Sequence, residues 1–412
     1  MTKTLAIVGI AALFFLASCK TKSEATNSNE TTVPSTSTNS VEKNAPNTKF
    51  KPAFEGQTRI GAVKTKSAYY DTVITKKLDK PWGIAVLPDG RLLITQKGGT
   101  MVIVTMDGVV SAPITGIPAV NSGAQGGLLG ITIDPAFTSN RMVYWVFSES
   151  RPEGNCTAVA KGKLSADEKS IENAKVIYEA LPAYNSMLHY GGRILFDKSG
   201  NLFVSTGERS DLATRPLAQH LDAALGKVLH MTTDGKAVAG NPFLNTAGAK
   251  GEIYSYGHRN VQGLAFHPIT GDLWENEFGP RGGDELNRIE AGKNYGWPII
   301  SYGEEYSGDP IPGSITQKDG LEQPVYYWDP VISPSGMTFY SGDKIPEWKN
   351  NLFISSLSGN HIDRLVIENN KVTGEERLLA NYTKRFRDIV QGKDGALYTV
   401  TDDGFLYRIS SR

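Results

Sequence analysis

Hydrophobic and polar residues alternate in short runs along most of the chain after about residue 80. The alternation has a period of two, which is typical of β-strands that bury one face. The runs come in pairs joined by turns such as Pro88-Asp89-Gly90, and this arrangement indicates β-hairpins. One such pattern recurs along the sequence, with copies that begin at Trp82, Gly130, Gly192, Gly263, Gly336 and Arg387.

The spacing of these copies predicts the architecture. They follow one another at intervals of about 45 to 75 residues, which is enough for a blade of four strands with loops of variable length. Long helical patterns are nearly absent, and the chain is long for a single compact core. We therefore predict an all-β fold, a six-bladed β-propeller with four-stranded antiparallel blades, over residues 53–412. A β-sandwich or a β-helix is the alternative, but the spacings are too long and too uneven for either.

The first residues have the pattern of an export signal. Lys3 gives a short basic start, and the apolar run that follows from Leu5 to Leu16 is too short to span a membrane. We predict a signal peptide over residues 1–18. Leu16-Ala17-Ser18-Cys19 also looks like a bacterial lipobox, which predicts an exported protein anchored through a lipid on Cys19 to the periplasmic or cell-surface side of the envelope. A plain secretory signal is the alternative.

Residues 19–52 are rich in Ser, Thr, Asn, Lys and Glu and have almost nothing to bury, so we predict a disordered tether.

Only Cys156 remains after Cys19, which excludes a disulfide within the mature chain. The whole sequence has 43 Lys and Arg against 43 Asp and Glu. This balance gives no indication of a nucleic-acid partner.

Polar residues stand just before several of the predicted inner strands. Loops that precede the inner strands of a propeller meet at one mouth of its central channel, so these side chains are expected to share a pocket. Three arginines suit an organic anion with several carboxylates, because bidentate pairing fixes its orientation. A histidine beside glycines or an isolated arginine is more often structural, and only the convergence favours a site. The residues are Gln125, His189, Arg259, Asn260, Arg385 and Arg387, with Glu208 at the end of the strand pair that follows His189.

A second candidate site lies in the loop Glu277-Phe278-Gly279-Pro280-Arg281-Gly282-Gly283-Asp284-Glu285. Glycines let backbone carbonyls turn toward a common point, and carbonyls with carboxylates are the ligands that calcium prefers. An ordinary polar turn between two strands is an equally good interpretation of this loop taken alone.

Taken together, these motifs resemble the soluble pyrroloquinoline-quinone-dependent sugar dehydrogenases, in particular the aldose sugar dehydrogenase branch. The resemblance runs from about Trp82 to Tyr407. Its anchors are Gln125-Gly126-Gly127-Leu128-Leu129-Gly130, His189 with Gly192-Arg193, Gly257-His258-Arg259-Asn260-Val261-Gln262-Gly263-Leu264, Glu277-Phe278-Gly279-Pro280, Asp284-Glu285, Asn294-Tyr295-Gly296-Trp297-Pro298 and Arg385-Phe386-Arg387-Asp388.

The resemblance implies a role for each matching residue. His189 is the expected base that removes the proton of the sugar C1 hydroxyl, and Glu208 is expected to orient it. Gln125 and Arg259 are expected near the reactive carbonyl of the quinone. Further contacts that hold the cofactor are expected from Asn260, Arg385 and Arg387.

The resemblance also implies two calcium ions. The backbone carbonyls of Gly279 and Pro280 are expected to bind the ion that bridges to the quinone, and Glu285 with the Tyr295 carbonyl is expected to bind a structural ion. The chain departs from the glucose dehydrogenase members at two places. They have Asp where Glu208 stands, and they have a cofactor-contacting Lys in the segment that corresponds to residues 355–359, where this chain has none.

The function that the resemblance implies is oxidation of the C1 hydroxyl of aldoses to the lactone, with hydride transfer to pyrroloquinoline quinone and then to an external electron acceptor. Calcium would make the accepting carbon more electrophilic. Two alternatives remain open at this point. One is a calcium-dependent propeller hydrolase of the lactonase type, and the other is a non-catalytic carbohydrate-binding propeller.

Overall fold

The structure is a computed structural model that describes residues 39–411. Within this part of the chain almost all regular structure is β-strand, and helix is confined to four short segments. The helical segments are the α-helix Phe137–Asn140 and the 3-10 helices Arg215–Gln219, Pro346–Trp348 and Ala380–Tyr382. The strands are β1 (Tyr70–Thr75), β2 (Pro81–Val86), β3 (Leu92–Gln96), β4 (Thr100–Val104), β5 (Leu128–Ile133), β6 (Met142–Arg151), β7 (Gly154–Leu164), β8 (Ile171–Glu179), β9 (Ile194–Phe196), β10 (Leu202–Ser205), β11 (Lys227–Met231), β12 (Ile253–Tyr256), β13 (Val261–Phe266), β14 (Leu273–Glu277), β15 (Asp284–Ile289), β16 (Tyr326–Trp328), β17 (Pro334–Phe339), β18 (Leu352–Ser356), β19 (Ile362–Glu368), β20 (Lys371–Leu378), β21 (Phe386–Gln391), β22 (Leu397–Thr401) and β23 (Leu406–Ser410).

The strands form six small antiparallel sheets, which confirms the predicted six-bladed β-propeller. Five sheets have four strands: β5 to β8, β9 to β12, β13 to β16, β17 to β20, and β21 to β23 with β1. The sheet β2 to β4 has three, and an isolated bridge from Met101 to Ile114 stands at its outer edge in place of a fourth strand.

The six blades close into a ring. The first strand of each blade, in the order β2, β5, β9, β13, β17 and β21, contacts the first strand of the next blade, and β21 returns to contact β2. The last blade is completed by the strand from the start of the domain, because β1 pairs with β23 from Tyr70 opposite Ser410 to Thr75 opposite Leu406. The ring therefore places the loops that precede the six inner strands around one opening.

Both faces of most blades are buried, which explains the alternating runs in the sequence. In β6, Trp145 is fully buried and packs with Leu93 of the preceding blade, whereas Tyr144 and Val146 pack with Val204 of the following blade. Burial of each large apolar side chain contributes about 1.5 to 3 kcal/mol. The core is thus a series of layers between neighbouring blades, and it holds the inner strands at fixed positions.

The segment that precedes the propeller corrects one prediction. Residues 39–52 were predicted to belong to the tether, yet Ser40 forms a bridge with Gly61, and the backbone amides of Asn47 and Thr48 donate to the Asp329 carboxylate over 2.6 and 3.0 Å. These residues dock through polar contacts, which an argument from missing apolar residues could not reveal. Residues 1–38, with the predicted signal peptide, Cys19 and the rest of the tether, lie outside the described residues.

Across residues 39–411, no helix is long and apolar enough to cross a membrane. Cys156 is a buried free thiol on β7. Burial raises the pKa of its thiol to about 12, so it is protonated at neutral pH and has no sign of reactivity.

Candidate active site

A cavity of about 320 Å³, here called the central cavity, opens where the loops before the inner strands meet. Among the predicted cofactor-binding residues it is lined by Gln125, Arg385 and Arg387. Trp82, at the start of β2, and Tyr190 add aromatic surface. The expectation that residues from successive blades share one pocket is met for these side chains.

His189 and Glu208 form a buried pair beside the central cavity. The Nδ1 atom of His189 lies 2.6 Å from Oε1 of Glu208, and the other carboxylate oxygen accepts the backbone amide of Ser210 over 2.8 Å. The backbone amide of His189 donates to the Gln125 side chain over 2.8 Å, which ties it to the cavity wall. Because a carboxylate only accepts hydrogen bonds, Nδ1 carries the proton and Nε2 keeps its lone pair.

The surroundings of His189 keep its ring neutral. Burial and the positive charge of Arg259 lower the pKa of His189 to about 4, although the hydrogen bond to Glu208 opposes this change. An imidazole with this pKa is deprotonated at neutral pH and can accept a proton at Nε2.

Arg209 holds the loop that carries His189, and the sequence analysis did not identify it. Its guanidinium donates to the carbonyls of Leu188 and Asn155 over 3.0 and 3.1 Å and to the carbonyl of Ser186, and it lies 3.9 Å from the ring centre of Tyr190. His189 itself has φ +48° and Arg209 has φ +75°, conformations that non-glycine residues seldom adopt. Arg209 therefore stabilises a strained segment, and its only signal in the sequence is that it follows Glu208.

Asn260 and Gln262 connect the histidine loop to β13. The Asn260 side-chain oxygen accepts the backbone amide of Gly191 over 2.9 Å and the amide of Gln262 over 3.2 Å. Asn260 is fully buried, and its side-chain nitrogen has no hydrogen-bond partner. A buried donor without a partner is costly, so this nitrogen is available to an acceptor on a ligand.

Arg385 and Arg387 line the central cavity and share one carboxylate. Both donate to Asp402 through Nε over 2.9 Å, and Arg387 adds a second contact of 3.1 Å through Nη2. Asp402, at the turn after β22, fixes the two guanidinium groups and was missed by the sequence analysis. It follows an inner hairpin, whereas the predicted site residues were those that precede inner strands.

Arg259 is found beside the second candidate site. Its Nη1 donates to the carbonyls of Gly279 and Phe278 over 2.7 and 3.1 Å, and its guanidinium lies 5.2 Å from the ring centre of Trp297. The Gly279 carbonyl was predicted to bind calcium, and in this structure it accepts the arginine. A cation at this carbonyl would lie beside the positively charged Arg259 guanidinium, and the two charges would repel each other.

The residues predicted for the two calcium ions lie close together. A small cleft, here called the carboxylate cleft, is lined by Gly279, Pro280 and Glu285 together with Glu277. Tyr295, whose carbonyl was predicted to bind the structural ion, is not among the residues that line the cleft, and its ring stacks on His258 with 4.8 Å between ring centres. The structure therefore brings Gly279, Pro280 and Glu285 together in one cleft.

Buried carboxylates crowd around this cleft. Glu277 lies opposite Glu285 on the neighbouring strand, and Glu275 and Glu277 approach Nδ1 of His258 at 3.7 and 3.1 Å. Burial and the charge of Glu277 raise the pKa values of Glu275 and Glu285 well above the ordinary value of a glutamate. Oε2 of Glu275 and Oδ1 of Asn287 have no hydrogen-bond partner. The cleft thus gathers carbonyl and carboxyl oxygens, which are the ligands that calcium prefers, and the Arg259 guanidinium lines it beside them.

Comparison with known proteins assigns the family. Residues 78–408 match the family described as Glucose / Sorbosone dehydrogenase. The chain is 41% identical over 347 residues to aldose sugar dehydrogenase YliI of Escherichia coli strain K12, a match that covers 82% of this chain and 92% of that protein. This chain belongs to the glucose/sorbosone dehydrogenase family. It is therefore a sugar oxidoreductase, and the resemblance described from its motifs is confirmed.

Solved structures of family members agree with this assignment. The soluble aldose sugar dehydrogenase from Escherichia coli in the apo-form superposes with a TM-score of 0.80 at 40% identity, and the match covers 84% of this chain and 100% of that one. The PQQ-bound form of aldose sugar dehydrogenase from Streptomyces coelicolor has a TM-score of 0.68 at 29% identity, with 84% and 99% covered.

Proposed function

We propose that the protein oxidises the C1 hydroxyl of aldose sugars to the lactone, with pyrroloquinoline quinone as cofactor and His189 as general base. The single observation that carries the proposal is the buried His189–Glu208 pair at the edge of a cationic cavity. A neutral imidazole that is oriented by a carboxylate suits removal of a hydroxyl proton.

The roles of the two residues follow from their contacts. Glu208 holds the proton on Nδ1 and turns Nε2 toward the sugar, so the hydroxyl proton passes to Nε2. As the imidazole becomes positive, the Glu208 carboxylate stabilises it across the 2.6 Å hydrogen bond. Arg209 keeps the loop in place through its bonds to the neighbouring backbone carbonyls. Arg209 thus acts as a positioning residue.

The central cavity fits a quinone with several carboxylates. Arg385 and Arg387 supply guanidinium groups that Asp402 holds in place. Asn260, whose side-chain oxygen accepts the backbone amide of the lining residue Gly191, has an unpaired buried donor. Trp82 and Tyr190 line the cavity with side chains that are almost fully buried. When bound, the quinone supplies the two-electron acceptor for the hydride that leaves C1. The protein relative from Streptomyces coelicolor that is described as PQQ-bound supports this choice of cofactor.

Calcium fits the carboxylate cleft. The cleft offers the carbonyls of Gly279 and Pro280 and the carboxylates of Glu277 and Glu285, all of which are oxygen ligands. A bound ion would neutralise the buried carboxylates and act as a Lewis acid toward an adjacent oxygen. Arg259, released from the Gly279 carbonyl, would be free to contact the cofactor.

The alternative of a lactonase-type hydrolase is less well supported. Such an enzyme needs carboxylates and amides that converge on a metal in the central channel. Among the described residues that line the central cavity, Asp402 is the one carboxylate, and two arginines engage it. The oxygen-rich cluster lies instead in the carboxylate cleft.

Reconstitution tests the proposal. The purified apoprotein is mixed with pyrroloquinoline quinone and calcium, and reduction of a dye is followed with several aldoses. Dye reduction that requires aldose, quinone and calcium is the expected result. Sugar binding without dye reduction would favour a carbohydrate-binding propeller, and lactone hydrolysis without quinone would favour the hydrolase.

We also propose that the mature protein is exported and attached to the cell envelope through a lipid on Cys19, from where it passes electrons to an external acceptor. The sequence Leu16-Ala17-Ser18-Cys19 supports this proposal. Cys19→Ser should move the protein from the membrane fraction to the soluble fraction. Retention of the variant in the membrane fraction would contradict the anchor.

A further inference from the structure

Two lysines line the central cavity beside the arginines. Lys80 and Lys97 join Arg385 and Arg387 in its wall, where Asp402 is the one acidic residue among the described lining residues, so the lining carries a net charge of three positive. Both arginines pair with Asp402. Neither lysine has an ion-pair partner within the described part of the chain. The wall thus has unbalanced positive charge, which an anion with several carboxylates would complement.

Lys97 is held in the cavity wall, whereas Lys80 is exposed. The Lys97 ammonium donates to the carbonyl of Ala124, and its backbone carbonyl accepts the amide of Leu128 over 3.1 Å. A Cβ atom on Gly127 would lie 2.5 Å from Cγ of Lys97, so the side chain packs directly over this glycine. The Lys97 ammonium group therefore lies at the carbonyl of Ala124, the residue that precedes Gln125 in the sequence.

We propose that Lys97 is a third cationic contact, beside Arg385 and Arg387, for the carboxylates of the quinone cofactor. This inference rests on the proposed function. Its geometric basis is a fixed ammonium group that faces the same cavity as the two guanidinium groups. In addition, burial and the charges of Arg387 and Lys80 lower the pKa of Lys97, although Asp402 opposes this. A bound carboxylate would relieve that repulsion.

The test is a titration of the full-length apoprotein with pyrroloquinoline quinone in calcium, followed by quenching of tryptophan fluorescence. Lys97→Gln keeps a hydrogen-bond donor but removes the charge, and Lys97→Arg keeps the charge. We expect the Kd to rise about tenfold or more in Lys97→Gln and about threefold or less in Lys97→Arg. Lys163→Gln, at an exposed position of β7, is the matched control and should bind like the wild type.

Salt dependence separates a charge contact from a structural role through Ala124. Added salt screens charge pairs, so it should weaken wild-type binding more steeply than binding by Lys97→Gln. Equal Kd values and parallel salt dependence in the wild type and Lys97→Gln would overturn the inference while leaving the proposed function intact. A wild-type protein that binds no quinone would contradict both. If Lys97→Gln does not fold, Lys97→Met takes its place, because it keeps an unbranched side chain over Gly127 and removes the charge. A Kd for Lys97→Met equal to that of the wild type would overturn the inference, and a Kd about tenfold higher would support it.

Discussion

The Nδ1 atom of His189 lies 2.6 Å from Oε1 of Glu208, in a pair that is almost fully buried. The two residues stand 19 positions apart in the sequence, on loops at either side of the hairpin β9–β10. This bond determines which imidazole nitrogen can accept a proton. The orientation of the His189 imidazole therefore depends on a contact that the hairpin creates.

Substitution of Glu208 tests this orientation. Glu208→Gln retains an oxygen that can accept the Nδ1 proton but removes the negative charge that stabilises the protonated ring. We expect kcat to fall at least about tenfold, with little change in the Kd of the quinone, because Glu208 does not line the central cavity. Glu208→Asp keeps the charge and serves as the matched variant, with a smaller loss. A Glu208→Gln enzyme with wild-type kcat would remove Glu208 from the mechanism.

The pH dependence of turnover should reflect the lowered pKa of His189. The neutral imidazole is the active form, so the rate falls as pH drops through the pKa of about 4, not through the ordinary value of 6.5. Between about pH 5 and 8 this group should leave kcat/KM nearly constant. The pH profile of kcat/KM measures this limb, because kcat/KM reflects the protein before it binds sugar, and a limb near pH 6.5 would contradict the environment described for the ring.

Stability has its own pH dependence from the same residue. The unfolded chain takes up a proton on His189 below about pH 6.5, whereas the folded protein does so only near pH 4, so folding stability falls as pH drops through this window. Melting temperatures measured between about pH 4 and pH 6.5 are therefore the control that distinguishes loss of turnover from loss of folded protein.

Substitution of Glu285, which lines the carboxylate cleft, should affect the melting temperature differently without and with calcium. Without calcium, Glu285→Gln replaces one of several crowded carboxyl groups with an amide of the same shape that carries no charge, so it should melt at the same temperature as the wild type or higher. With calcium, the loss of a ligand should leave it less stabilised than the wild type. Melting curves with calcium and with a chelator measure both effects, and Glu290→Gln at an exposed position is the control. An equal gain from calcium in Glu285→Gln and wild type would exclude Glu285 as a ligand.

Shortening the chain tests the docked segment. A protein that begins at Asn39 keeps the contacts of Thr48 with Asp329 and the 2.8 Å ion pair of Glu42 with Arg377, whereas one that begins at Pro52 loses both. Since hydrogen bonds to a charged group contribute about 1.5 to 3 kcal/mol, we expect the shorter protein to melt at least about 3 °C lower. Identical melting temperatures would show that this segment contributes nothing to stability and would restore the tether predicted to reach residue 52.

The propeller was predictable because its signal is local and repeated. The run from Gly263 to Phe266 lies in β13, and Asp89-Gly90 turns the chain between β2 and β3, with Gly90 at φ +93°. Each copy of the pattern indicates one β-hairpin, and six copies indicate the six blades of a propeller. The absence of a fourth strand beside β4 was not predictable, since the outer edge of a blade depends on loop contacts more than on alternation.

The site was predictable only in part. Gln125 and Arg385 precede inner strands and Arg387 lies at the start of one, and the architecture brings such positions together. Lys97 lies in a turn between strands and reaches the central cavity through its long side chain. Arg259 could be placed near the site, but its bond to the Gly279 carbonyl depends on how two loops of one blade pack. Contacts of this kind come from tertiary structure and leave no pattern in the sequence.

The measurement that tests the account most directly is turnover by His189→Ala with the quinone bound. Cofactor binding depends on the central cavity and proton removal on His189, so the two can be separated in one protein. We expect quinone affinity close to that of the wild type and a kcat for aldoses at neutral pH that is at least about a hundredfold lower, since a general base contributes about 10²- to 10⁴-fold. Near-normal turnover by His189→Ala with the quinone bound would contradict the assignment of His189 as the base.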